Sequence, residues 1–394
     1  MEKRKLRGGM VGGGRGSKIG AVHRMAATID GQAEIVAGAF SSNPEKSRSF
    51  AEELCLDSSR AYSDYREMAE KESALPDGEK IDFVSIATPN ADHFDAARTF
   101  LKAGFNVICD KPVTCRLAEA QELKSLVSST GKVFAITYTY TGYPMVKQAR
   151  YMIQQGLLGE IVKVVAAYRQ TWVARLLDAK DSLQDIWRLD PSKAGISCCI
   201  ADIGIHAENL VRYVTGLEIE ELCADLSSFV PGNSLDNDAS ILLRYKGGSK
   251  GVMHVSQVYT GEENNLSIQV YGTKQSLSWN QENPDYLEIK TLDGYTSTYT
   301  KGSRGSRVIC DEARNASRLA LGHPEGFIEA FANIYLGAFN DIRAKMANKS
   351  TPAGDYPTID DGVNSMAFVE TVVASAKSDE KWVRMKGDSA VGRY

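Results

Sequence analysis

The 394-residue chain has no basic run and no Arg-rich stripe, which removes nucleic acid as an expected partner. It has no apolar stretch of bilayer-spanning length, so no membrane is expected as partner either. The charged start, Met1-Glu2-Lys3-Arg4-Lys5-Leu6-Arg7, is followed by no apolar run of signal-peptide length, and the expected location is the cytoplasm. The cysteines, Cys55, Cys109, Cys115, Cys198, Cys199, Cys223 and Cys310, are odd in number and form no C-x-x-C pair. Neither a zinc site nor a disulfide framework is indicated; buried or half-buried free thiols are the expectation. Repeats and low-complexity tracts are lacking as well.

What remains is the composition of an ordinary globular protein, 43% apolar with a formal net charge of −4. Single cores stop growing well below this length, so two domains are expected, over residues 1–141 and 142–394.

In the first part, short apolar runs alternate with helical periodicity. Residues 6–11 read as a strand that ends in Gly12-Gly13-Gly14-Arg15-Gly16, and Ile19, Val22, Met25, Ala26 and Ile29 follow at helical spacing. Residues 35–40 read as a second strand. Ser42-Asn43-Pro44 then starts a helix with proline at its first position, and Asp64 and Glu67 have capping-box spacing at the start of another. Residues 83–88, 105–109 and 132–137 read as further strands. The alternation argues a parallel, doubly wound sheet, whose ligands bind beyond the carboxyl ends of the strands. Four motifs share those ends: the glycines, Thr88-Pro89-Asn90, Asp110-Lys111-Pro112 and Tyr138-Thr139-Tyr140. They are expected to line one crevice.

Small residues in a strand-to-helix turn let backbone N–H groups approach a pyrophosphate. The spacing departs from G-x-G-x-x-G, because after Gly12 and Gly14 the third position is Ser17; Gly20 is the next candidate for close helix packing. No Asp or Glu ends the second strand to hold a ribose hydroxyl. Ser41-Ser42 stand there, with Lys46 and Arg48 within reach of a 2′-phosphate, so NAD and NADP both stay open.

From Tyr143-Pro144 a helix is expected to residue 155, then a long strand over 161–172. Segments near 219–229, 239–245, 251–258, 266–271 and 275–279 alternate and are separated by turns, which argues an antiparallel sheet with one face free. Residues 302–316 read as a polar loop, 327–346 as an amphipathic helix, and 363–376 as a last helix.

Two fragments carry chemistry. Asp202 and His206 lie four apart, which shares one face if a helix begins at or just before Asp202. A carboxylate beside an imidazole orients it and favours its protonated form. Lys111 follows a buried strand and precedes Pro112, so it is held extended and partly desolvated, which lowers an ammonium pKa. Each fragment alone also serves as a surface ion pair, a cap or a solvent-facing lysine. Together they supply an amine, an imidazole and a carboxylate, enough to take a proton from an alcohol. Trp187 offers an apolar face and Arg188 a fork of donors. Tyr138, Tyr140, Tyr143, Gln170 and His323 are weaker candidates. His23 is expected in the first helix, His93 early on the helix after Pro89-Asn90, facing a cofactor, and His254 in the antiparallel sheet.

These pieces resemble, over nearly the whole chain, the Gfo/Idh/MocA family, named for glucose–fructose oxidoreductase and inositol dehydrogenase. The resemblance rests on the glycine turn, Ala87-Thr88-Pro89-Asn90-x-x-His93, Asp110-Lys111-Pro112, Gly156-x-x-Gly159-Glu160 and Asp202-Ile203-Gly204-Ile205-His206. It implies an N-terminal Rossmann-type doubly wound parallel sheet and a C-terminal α+β domain with a large, mostly antiparallel open sheet. It also implies homo-oligomerisation through that sheet, as dimer or tetramer. The family's E-K-P lysine and D-x-G-x-H pair act at the reacting alcohol and match Lys111, Asp202 and His206; Asp110 replaces the glutamate. Cofactor contacts would come from Gly12, Gly14, Arg15 and Ile19, from Ser41 and Ser42, from Thr88, Pro89, Asn90 and His93, and from Asp110 and Lys111. The glycine loop, Trp187-Arg188 and His323-Pro324-Glu325-Gly326 look most like the levoglucosan and glucoside 3-dehydrogenases. There the counterparts of Arg188 and His323 approach the sugar, and Tyr140 and Gln170 follow. The implied activity is hydride transfer between nicotinamide and a secondary hydroxyl of a sugar, glycoside or cyclic polyol, C3 included. The expected site is the seam between domains. Two alternatives stand beside it: a redox-neutral enzyme that retains its cofactor for elimination or glycoside cleavage, and a non-catalytic nucleotide sensor.

Overall fold

The computed structural model describes residues 4–177, 186–301, 308–349 and 354–386. The expected alternation in the first part is realised as β1 (Leu6–Gly12), α1 (Lys18–Thr28), β2 (Ala33–Ala39), α2 (Pro44–Glu53), α3 (Tyr65–Ser73), β3 (Phe83–Ala87), α4 (Asn90–Lys102), β4 (Asn106–Cys109), α5 (Leu117–Thr130) and β5 (Phe134–Ile136). All strand pairs are parallel, in the order β2-β1-β3-β4-β5. The order reverses between β1 and β3, which places a ligand crevice at the carboxyl ends of those two strands. Asn43 caps α2 by accepting from the Lys46 N–H at 3.0 Å, with Pro44 at the first position. The capping box before α3 is displaced by one residue. Asp64 accepts from the Arg66 N–H at 2.7 Å, while Glu67 reaches back to Ser63, taking both its N–H and its hydroxyl.

The next stretch comprises α6 (Pro144–Gln154), β6 (Ile161–Arg169), the one-turn α7 (Pro191–Ala194), a π-helical turn Ile200–Gly204, and α8 (Ile205–Thr215). Then come β7 (Ile219–Ser227), β8 (Asp238–Tyr245), β9 (Lys250–Ser256), β10 (Asn265–Gly272), β11 (Gln275–Asn280), β12 (Tyr286–Thr291), β13 (Thr296–Thr300) and the short α9 (Asp311–Asn315). The polar segment expected as a loop over 302–316 therefore contains a helical turn; residues 302–307 lie outside the described residues. One face of the sheet is apolar and packed: Val164, Ala166, Ile241, Met253, Ile268 and Val270 are buried. The registers align Cys223, Leu242, Val252, Val165 and Gln269 in one row on the opposite face, where Leu242 is 45% exposed.

The chain ends with α10 (Phe327–Met346), α11 (Ile359–Ala376) and β14 (Val383–Arg384). Strand β14 completes a nine-stranded sheet of order β13-β12-β11-β10-β6-β9-β8-β7-β14, antiparallel except between β6 and β9. The chain forms two compact units, residues 1–142 with 327–363, and residues 143–326 with 364–394. In the first, α10 places Phe331, Tyr335, Phe339 and Ile342 on one stripe, against Leu6, Phe83 and Ile108 of the parallel sheet. Burying a Phe side chain of this kind contributes about 1.5–3 kcal/mol. Among the described residues no helix is long and apolar enough to cross a membrane.

Candidate active site

In the first unit the glycine turn is built by close approach. Gly13 has φ +65°, its N–H donates to the Ala87 carbonyl at 3.0 Å, and its own carbonyl accepts from Arg24 of α1 at 2.6 Å. A Cβ on Gly12 would meet the Ala87 carbonyl oxygen at 2.5 Å, and one on Gly14 the Phe40 carbonyl oxygen at 2.6 Å. Gly20 packs α1 on the turn, and Ser17 caps that helix by accepting from the Gly20 N–H at 3.1 Å. A bare-backbone turn feeding a capped helix N-terminus suits the pyrophosphate of a dinucleotide. Ile19 is half-buried in the core beneath. Arg15 is exposed and pairs with Glu53 and Ser49 of α2. Ser41 is half-buried and accepts from the Asn43 N–H at 3.1 Å, while Ser42 is exposed.

Thr88 and Pro89 are half-buried between β3 and α4, and Asn90 is buried at the start of α4. His93 is wholly enclosed: Nδ1 lies 2.7 Å from the Pro112 carbonyl oxygen and Nε2 3.0 Å from that of Thr88. Burial pushes its pKa down, against the opposing pull of Asp110 and of the two carbonyls, each of which can only accept from a ring N–H. Lys111 is half-buried, and its peptide to Pro112 is cis. Beside it, Asp110 is buried and accepts from the Thr137 hydroxyl at 2.7 Å. Burial alone would raise that carboxyl; His23, 3.9 Å away, together with Lys111 and His93 more than offsets this and holds it below the usual range. His23 in turn shares the Tyr335 hydroxyl, 2.7 Å from Nδ1, and that hydroxyl lies 2.8 Å from Ser85. Tyr140 is buried, its ring edge-on to Phe327.

In the second unit Asp202 sits in the π-helical turn and His206, 7% exposed, in the first turn of α8. The Asp202 carboxylate is reached by Arg188 Nε at 3.4 Å and by Gln257 Nε2 at 3.0 Å. Arg188 also stacks on Trp187, 4.4 Å from the ring centroid. The His206 ring lies 6.2 Å from the Tyr168 ring, and both the Tyr168 hydroxyl and Gln170 Nε2 bond to Asn264, at 2.8 and 2.7 Å. His323 stands exposed on a segment anchored by Glu325. That buried carboxylate accepts from Lys301 Nζ at 2.7 Å and from the Arg318 and Leu319 N–H groups at 2.8 and 2.6 Å. The structure thus brings Arg188, Asp202 and His206 into one neighbourhood and adds Gln257, which carries no sequence signal because it lies 55 residues from its partner.

Residues 6–138 match the model of the oxidoreductase family with NAD-binding Rossmann fold, and residues 146–278 that of the GFO/IDH/MocA C-terminal domain. The uncharacterized oxidoreductase YfiI of Bacillus subtilis is 35% identical over 97% of both chains. The chain belongs to the Gfo/Idh/MocA family. It is an NAD-binding oxidoreductase. Levoglucosan dehydrogenase of Pseudarthrobacter phenanthrenivorans is 26% identical over 63% of this chain and 69% of its own. An inositol dehydrogenase homolog from Azotobacter vinelandii, solved with NADH and myo-inositol, is 34% identical with a TM-score of 0.87, covering 97% of this chain and 98% of its own.

Proposed function

We propose that the chain interconverts a secondary hydroxyl of a cyclic polyol, sugar or glycoside and the corresponding ketone, using NAD or NADP. The observation that carries this reading is the Asp202 carboxylate, held by Arg188 and Gln257 one helical turn before the enclosed His206. Gly12, Gly13 and Gly14 with the start of α1 would hold the pyrophosphate, and the residues after β2 and β3 the rest of the dinucleotide. Bound nicotinamide supplies the hydride acceptor or donor. His206 takes the hydroxyl proton, Asp202 orients the imidazole and favours the charge it gains, and Lys111 shares the proton at the reacting oxygen. Arg188 and Trp187 contribute donors and an apolar face for a ring carrying several hydroxyls. Gln170, Tyr140 and His323 are proposed as further contacts to that substrate.

A panel of myo-inositol, levoglucosan, glucose and methyl glucoside, each with NAD and with NADP, tests the reading through nicotinamide absorbance. Reduced cofactor equal to ketone formed is the expected result. Product without reduced cofactor would replace it with redox-neutral chemistry on a retained cofactor. Tight dinucleotide binding without turnover of any member would replace it with nucleotide sensing.

The open sheet face is proposed as the surface of a homodimer or homotetramer, its row of Cys223, Leu242, Val252 and Val165 being apolar. Sedimentation velocity is expected to give a multiple of the 43.0 kDa chain mass, with Leu242→Asp shifting it towards one copy. A monomer in the unsubstituted protein would overturn this. The free thiols fit a reducing compartment, and the cytoplasm is the proposed location.

A further inference from the structure

Gln257 directly follows β9 and is completely buried. Its backbone is fixed on both sides: the N–H donates to the Asn237 carbonyl at 2.9 Å, and the carbonyl accepts from Val173 and Ala174 at 3.0 and 3.3 Å. The side-chain amide is equally constrained. Nε2 lies 3.0 Å from Asp202 Oδ2, and Oε1 lies 3.4 Å from Cys198 Sγ. Chemistry sets which way round it stands: an ionised carboxylate only accepts, so the NH₂ faces Asp202, and the oxygen is left for the thiol, which can donate. Cys198 is itself placed by Asp236, a buried carboxylate that accepts from the Cys198 and Ile200 N–H groups, both at 3.0 Å. Ser197 takes the Ile200 and Ala201 N–H groups at 3.1 and 3.3 Å. The π-helical turn that carries Asp202 is therefore built on one side by Asp236 and read on the other by Gln257. Turns of this kind recur where a helix must present a functional side chain.

Arg188 and Gln257 both reach the Asp202 carboxylate, and they differ in kind. Arg188 is 42% exposed, so its attraction across 3.4 Å is screened by water and its long side chain is costly to hold. Gln257 is neutral, rigid and dry, and its bond is made where an unmade one is expensive. Among the described residues, other titratable groups near this turn include His206 on α8, with the Tyr168 ring beside it, and Cys198, Cys199, Asp236 and Asp238.

We propose that Gln257, locked by the Cys198 thiol, is a positioning residue that keeps the Asp202 carboxylate ionised and in one rotamer for His206. The proposal rests on the reading that Asp202 serves His206, and the test separates the two. Histidine-labelled full-length protein is titrated by nitrogen NMR, the His206 signal being assigned by its loss in His206→Ala. Asp202→Asn is expected to lower the His206 pKa by about 1 or more, because the imidazolium loses its counter-charge. Gln257→Leu is expected to raise it by about 0.5 or more, since the imidazolium then carries a larger share in stabilising the carboxylate. Cys198→Ala frees the amide and moves the value in the same direction as Gln257→Leu, while Cys198→Ser restores a donor and keeps the wild-type value. No change in Asp202→Asn would overturn the pairing of Asp202 with His206. A clear fall in Asp202→Asn with no rise in Gln257→Leu would leave that pairing standing and overturn the role of Gln257. Should Gln257→Leu fail to fold, the cysteine pair decides: equal values for the serine and alanine variants overturn the lock.

Discussion

His206→Ala and Lys111→Ala are each expected to lower kcat by about a hundred- to ten-thousandfold, the range of a lost positioned acid–base group. Dissociation constants for the reduced dinucleotide, read by fluorescence, are expected to stay within about threefold, because neither substitution touches the glycine turn or α1. The sharper expectation concerns the double variant. If both side chains handle one proton at one oxygen, removing the second costs little once the first is gone, as with other residues that act as a unit. The double variant should therefore be about as slow as the worse single one. Losses that multiply would mean that Lys111 and His206 act in separate steps, and an unchanged kcat in either single variant would sink its assignment.

The parts of this architecture that were legible in the sequence are those whose burial pattern is local. Residues 83–87 form an apolar run broken by Ser85 alone, and β3 is buried throughout. The stripe through Phe327, Phe331 and Tyr335 gave a helix over 327–346, the observed span of α10. The same stripe says which face is covered and not by what; only the folded chain shows Phe83 and Ile108 beneath it. Met25 and Ile29 kept helical spacing on α1, yet both are exposed, because the stripe that packs runs through Gly20, His23 and Ala27 instead. Strand β13, Thr-Ser-Thr-Tyr-Thr, has no apolar face to betray it and is held by backbone pairing to β12. The candidate site divides in the same way. Asp202 and His206 share a spacing and Lys111 a strand end, so they could be found by reading along the chain. The Gln257 and Arg188 contacts to Asp202 and the Pro112 carbonyl beside His93 join residues well separated along the chain, which leaves no periodicity behind. The π-helical turn was invisible for a further reason: the carboxylate that accepts from the backbone N–H groups at its start is Asp236, more than thirty positions downstream.

Gly20 shows how local spacing can mislead and geometry repair it. The third glycine of the usual dinucleotide turn is replaced by Ser17, which caps α1, and the close packing falls to Gly20. A Cβ there would meet Gly13 Cα at 2.3 Å, its oxygen at 2.5 Å and its carbonyl carbon at 2.7 Å. All three are backbone atoms of a residue already pinned to Ala87 and Arg24, so no side chain can swing aside. Helix α1 must move off the turn, and its N-terminus with it. Gly20→Ala is therefore expected to cost about 1–3 kcal/mol, the usual range for overpacking, at roughly 2–4 °C of melting temperature per kcal/mol for a unit of this size. Dinucleotide affinity is expected to fall by about tenfold or more, with kcat at saturating cofactor largely retained, since the proposed acid–base groups are untouched. Gly104→Ala is the control. Gly104 has φ +86° and open space around it, so a side chain there is strained by its backbone conformation without a clash. It lies just past α4 rather than at the turn, so it should lower the melting temperature and leave dinucleotide affinity unchanged. Equal losses of affinity in the two variants would mean that general destabilisation is being read. An unchanged affinity in Gly20→Ala would mean that the position of α1 relative to the glycine turn does not govern cofactor binding.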